Sequence, residues 1–175
     1  DEMCKRLLHH EGLYYPLGLG PHGLVSEALL LHMKSPAIHG ALNMIYRYGI
    51  TEDEAYAQTV YPYLRGVADF WEKDLVLRDG VYHVVGDGMH ERTDGNIREN
   101  GVPEDPVNTL GYLKTFFTRL PKISEALELD EEKRTKWQKS GAISKGKHSG
   151  NSGQSYIVER SGCEAGGFAS PGNAG

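Results

Sequence analysis

Cysteine is scarce in this 175-residue chain, with only Cys4 and Cys163, one near each end. Two such residues build no disulfide framework and give no metal-ligand spacing, so they leave the compartment open, secreted or periplasmic included. Long apolar runs are missing too. The longest clear one is Ala28-Leu-Leu-Leu31, far short of the roughly 18 residues of a membrane-spanning helix, so no membrane partner is expected. The N-terminus starts with Asp1-Glu2 and carries neither an initiator Met nor an apolar signal core; it is not a signal peptide and reads as the interior of something longer. Excess positive charge is absent as well. A formal charge of −5 leaves no footprint for nucleic acid or an anionic membrane. The basic cluster from Lys133 to Lys147 is broken by Ser and Gly and reads as a solvated helix end followed by a tail.

What is present is helical periodicity. Ser35-Pro36 suits a helix start, and Ala37, Ile38, Ala41, Leu42, Ile45 and Tyr48 form an apolar stripe that Gly49 can end. Thr51-Glu-Asp-Glu54 is a capping-box pattern opening a second helix, whose Val60, Leu64, Val67, Trp71 and Leu75 share one side. Arg78-Asp-Gly80 between two apolar runs signals a β-hairpin. Asp105-Pro106 starts a third helix with Leu110, Leu113, Phe117 and Leu120 inward; Pro121 should kink or break it, with the pattern resuming over 123–129. Asp130 is expected to cap a last helix reaching about Gln138. Paired helices with short joints imply an all-α antiparallel packing over residues 1–139. Residues 140–175, rich in Gly and Ser, read as a disordered tail and also fit a shifted reading frame.

Several motifs fail on inspection. Gly18-Leu-Gly-Pro-His-Gly23 has the dinucleotide-binding spacing, but Pro16 spoils the preceding strand and no acid follows at the ribose position. His90-Glu91 begins like a zinc-hydrolase motif, yet Asp94 stands where the second histidine is required. No nucleophile elbow or phosphate loop occurs. No metal or other cofactor is therefore expected. From Gly86 to Asp105 runs an irregular stretch carrying Asp87, Glu91, Asp94, Glu99, Glu104 and Asp105, with His90 and Arg92 beside Glu91. Composition alone favours a solvated acidic loop, while its length favours a functional one.

The order of Asn43-Met44, Tyr46-x-Tyr48, Thr51-Glu-Asp, Tyr61-Pro-Tyr-Leu, Ala68-Asp-Phe-Trp-Glu72, Asp79-Gly-Val-Tyr82, Asp87-Gly-Met-His-Glu91 and Leu127-Glu-Leu-Asp-Glu-Glu-Lys-Arg134 resembles a known family. It is similar to part of the catalytic domain of six-hairpin, (α/α)6-toroid glycoside hydrolases, especially family-95 α-L-fucosidase-like enzymes, over residues 10–138. The resemblance implies a partial toroid of antiparallel helix hairpins with one small β-hairpin, and a carbohydrate substrate. Where that family has a Ser-Pro-Glu-Asn turn bearing its general acid, this chain has Met89-His-Glu-Arg92, which puts Glu91 in the acid's place. Asn43 falls at a sugar-contacting position, with His39 one turn earlier; Asp87, His90 and Arg92 complete the implied contacts.

Acid/base cleavage, inverting in this family, needs a protonated carboxyl for the leaving oxygen and a second carboxylate to activate water. No match to the family's base precedes Lys139. The chain can supply about half of the six hairpins in such a ring. The expected activity is therefore that of a glycosidase fragment. The rival is a non-catalytic all-α module that binds glycan or protein, and an incomplete ring would also self-associate through exposed helix faces.

Overall fold

The computed structural model describes residues 4–5, 9–15, 33–87, 104–141 and 143. In chain order they form α1 (Pro36–Thr51), α2 (Glu54–Asp74), β1 (Val76–Arg78), β2 (Val81–His83), α3 (Val107–Ala126) and α4 (Glu131–Ser140). The described chain is thus mostly helical, with one small antiparallel sheet. The Gly18–Gly23 motif and the tail beyond Ile143 lie outside the described residues.

Periodicity sets the helices, but their ends differ from the sequence expectation. The α1 helix runs past Gly49 and stops at Glu52, whose left-handed φ of 51° turns its N–H onto Tyr48 O. Thr51 belongs to α1, and the cap of α2 is Asp53, whose carboxylate accepts from the Tyr56 N–H at 3.0 Å. Ser35 precedes α1 without a side-chain cap, leaving Pro36 to set the first turn. The expected break at Pro121 does not occur; α3 continues through it to Ala126. An interior proline costs about 3 kcal/mol. Burial of Phe116, Phe117, Leu120 and Ile123 around it offsets that, at about 1.5–3 kcal/mol per large side chain. Asp130 precedes α4 but does not cap it: its φ is 50° and its carboxylate turns to Tyr61 and Arg65. The hairpin is as read, with Asp79 and Gly80 at φ 50° and 78° and Val76 opposite His83. Both values suit a type I′ turn.

Short joints fold α2 back on α1 and α4 back on α3, giving two helical hairpins. They pack side by side with α1 and α3 parallel, since His39 meets Tyr112 and Tyr46 meets Arg119, seven residues further along each helix. Between the hairpins Ile38, Ile45, Leu64, Trp71, Leu113, Phe116, Phe117 and Leu120 are wholly buried. The 9–15 segment crosses α2, where the Leu13 N–H donates to Gly66 O at 2.8 Å and Gly12 lies against the Phe70 backbone. The Tyr15 hydroxyl lies 2.7 Å from that of Tyr63, which donates to Ala37 O.

The α4 helix is held differently. It buries Trp137, whose indole N–H donates to Glu72 at 2.6 Å, and Lys136 pairs with the other oxygen of that carboxylate. Lys133 and Arg65 both reach Asp69, and Arg65 also binds Asp130. Burial raises the Asp130 carboxyl, but hydrogen bonds from Arg65 and Tyr61 outweigh it and hold the group below the usual range.

Two outcomes follow from this packing. An added Cβ at Gly12 meets Phe70 Cα at 2.4 Å, and φ there is +138°. Gly12→Ala will therefore cost about 2–4 kcal/mol in urea unfolding monitored by circular dichroism. A depressed Asp130 contributes stability that is complete above its unfolded value of about 4 and is lost as pH falls through its folded value. Acid titration of Trp fluorescence will show that loss in the native chain and a smaller one in Asp130→Asn.

Candidate functional site

The β-hairpin delivers the chain to a buried polar junction. Val85 bridges to Glu104, and the Asp105 N–H donates to Val84 O at 2.8 Å, so the chain leaves at Asp87 and returns at Glu104 beside itself. Asp105 strengthens this closure by accepting from the Val84 N–H and pairing with His83 Nδ1 at 2.8 Å. Glu91, His90 and Arg92, the implied acid and its neighbours, lie in the 88–103 stretch between these ends and outside the described residues.

Asp87 is fully buried. One oxygen accepts from the Lys34 N–H at 2.7 Å, just before α1, and the other from the Thr109 hydroxyl at 2.6 Å, in the first turn of α3. The Lys34 ammonium donates to both oxygens of Asp74 and to Val85 O, at 2.8–2.9 Å. Burial pushes the Asp87 carboxyl above its ordinary value, against the hydrogen bonds from Thr109 and Lys34 and the Lys34 charge. With both oxygens engaged, this carboxylate acts as an anchor joining α1, α3 and the segment after the hairpin.

His39 and Asn43 sit together on the exposed side of α1, as their spacing requires. The structure adds partners that sequence reasoning missed. The His39 ring lies 5.4 Å from that of Tyr112, and Arg119 stands 5.6 Å from the ring of Tyr46, itself about half exposed. Matched seven-residue intervals, 39 to 46 and 112 to 119, are the available signal, and only the parallel pairing of the helices gives them meaning. These residues make an aromatic and cationic ledge suited to stacking a planar or ring-shaped ligand.

A thiol, an imidazole and a carboxylate also line up, with Cys4 Sγ and Asp74 Oδ1 each 3.6 Å from a ring nitrogen of His10. The His10 Nδ1 next to that thiol lies 3.0 Å from Glu11 O, which can only accept. Its proton is thus committed to the carbonyl and it cannot serve as the thiol's base. Burial, meanwhile, pushes the Cys4 thiol up. An open depression lined by Glu11, Leu13, Pro62, Tyr63 and Asp69 shares no residue with the predicted set. Among the described residues no group of His, Cys, Asp and Glu is placed to hold a metal ion. None of the described helices is long and apolar enough to cross a membrane.

Removing the anchor has a definite cost. Asp87→Ala leaves the Lys34 N–H and the Thr109 hydroxyl without their acceptor, and denaturant melts will show a loss of about 2–4 kcal/mol. Asp87→Asn keeps an acceptor for Lys34 and will lose less. Compared with protein-family models and with curated proteins, the chain matches none.

Proposed function

We propose that this chain carries part of an (α/α)6-toroid glycoside hydrolase domain that cleaves terminal glycosidic bonds by acid/base catalysis with inversion. Glu91 is the general acid, and His39 and Asn43 contact the sugar. The observation that carries the reading is the packing of two helical hairpins with α1 and α3 parallel, because a ring of such hairpins is built by repeating that unit. A second support is the closed stem Val85–Glu104, which holds the two described flanks of the Glu91-bearing segment, Asp87 and Glu104, together near the starts of α1 and α3. Two hairpins are a fraction of a ring, so in this reading the water-activating carboxylate comes from a hairpin outside residues 36–140. The acid must keep its proton near neutral pH, which burial or a neighbouring carboxylate provides.

The His39–Tyr112 and Tyr46–Arg119 pairs, with His39, Tyr46 and Arg119 exposed, favour a second reading, a module that binds glycan without cleaving it. Turnover separates the two. In the hydrolase reading, aryl α-L-fucosides or related aryl glycosides are cleaved, and Glu91→Gln lowers kcat by about 10²–10⁴. A folded sample with no turnover on any of them leaves the module, and undiminished activity in Glu91→Gln removes that residue from its role.

A further inference from the structure

We infer that α4 is exchangeable: two copies of this chain pair by docking each one's α4 into the seat that α2 and α3 of the other provide. The inference is independent of the hydrolase reading, since it uses neither Glu91 nor a glycan.

The joint between α3 and α4 runs against its own sequence. Leu127, just after α3, stays in the right-handed helical region at φ −89° and ψ −2°. The chain then reverses over Glu128, Leu129 and Asp130, with φ of 55° at Glu128 and 50° at Asp130. A helix that turns back in this way usually has glycine or asparagine at the left-handed position, because a larger side chain is crowded there. Between Leu127 and Asp130 there is no glycine, asparagine or proline, and Leu and Glu are good helix formers. Asp tolerates a left-handed φ better than Glu, so the conflict is sharpest at Glu128. Local preference is to run α3 straight into α4, as a rod of about 50 Å from Val107 to Ser140.

Contacts from α4 and α2 hold the reversal in place. Arg134 donates to Ser124 Oγ, Ser124 O and Leu129 O at 3.0–3.2 Å, which clasps α4 to the last turn of α3. Tyr61 and Arg65 grip Asp130. The seat itself is compact and specific. On α2, Asp69 and Glu72 receive Lys133, Lys136 and the Trp137 indole, and Gly141 lies against Phe117 of α3. A helix of 10 residues does not hold its shape unsupported, and an α4 swung away would bare Trp137, which is wholly buried in the seat. It therefore needs an identical seat, and a second copy supplies one. The exchange is reciprocal, so the pair closes with two-fold symmetry. Each copy recovers the contacts of Lys133, Lys136 and Trp137, and both joints shed their left-handed residues.

The test refolds the full chain from urea at micromolar and at millimolar concentration and follows its mass by light scattering. The expected result is a monomer at the low concentration and a dimer at the high one. In a dimer grown from a mixture of ¹⁵N-labelled and ¹³C-labelled chains, isotope-filtered spectra should connect the Trp137 indole N–H of one chain to the Glu72 side chain of the other. Arg134→Ala removes the clasp of the closed joint and should tighten the dimer about tenfold. Glu128→Gly, at an exposed position, relieves the closed joint and should weaken the dimer about tenfold while the far-ultraviolet spectrum is kept. A monomer at every concentration in both the native chain and Arg134→Ala overturns the inference. So does a dimer whose Trp137–Glu72 contact stays within one chain, or one whose strength Glu128→Gly leaves unchanged.

Discussion

Lys34 is the residue through which the described parts are tied together. Its ammonium neutralises Asp74 at the end of α2 and caps the Val85 carbonyl after the hairpin, while its backbone N–H holds Asp87. A cation taken out of water costs several kcal/mol unless its donors are all met. Here a carboxylate and a carbonyl meet them, and the second carboxylate, Asp87, is met by Thr109 in turn. The cluster is therefore cooperative: each charge is tolerable only because the others are in place. It fixes where α1 starts, where α2 ends and where the hairpin hands the chain on, which is the geometry that any chemistry at this end must use.

The two hairpins are held by different kinds of force. Between α1, α2 and α3 the contact is dry, with Ile38, Ile45, Trp71 and Phe116 wholly buried, while Phe70 packs the outer side of α2 against His10 and Tyr14. The α4 helix offers only Trp137 and Ser140 to the interior and is otherwise attached by Lys133, Lys136 and Arg134. Apolar contact is indifferent to acid and salt, whereas the ionic attachment answers to both. The second half of the second hairpin is consequently the element most responsive to solution conditions.

Apolar spacing is enough to find the first three helices, and Asp79-Gly80 enough to find the hairpin, because both signals are local, whereas α4 is expected from a cap at Asp130 that the structure does not form. The helix ends were harder for the opposite reason. Asp130 looked like a cap, but Tyr61 and Arg65, more than sixty positions earlier, claim its carboxylate. Pro121 looked like a stop, and the burial of the rings before it overrode the lost hydrogen bond. The same limit applies to the site. His39 and Asn43 share a face by helical arithmetic alone, whereas Tyr112 and Arg119 join them only through tertiary packing. The resemblance implies a sugar contact for Asp87, and nothing local shows that its partners, Lys34 and Thr109, lie 53 and 22 positions away.

The parallel alignment of α1 and α3 has one more consequence, which is electrical. Peptide dipoles in each helix sum to about half a positive charge at its N-terminus. Antiparallel α2 and α4 return their negative poles to the same end and cancel the field at long range, so the effect is confined to the two helix starts that Asp87 itself touches. The pocket around Asp87 thus carries a local preference for negative charge, built from backbone and so independent of any titrating side chain. Backbone direction at two helix starts therefore works against the burial that raises Asp87.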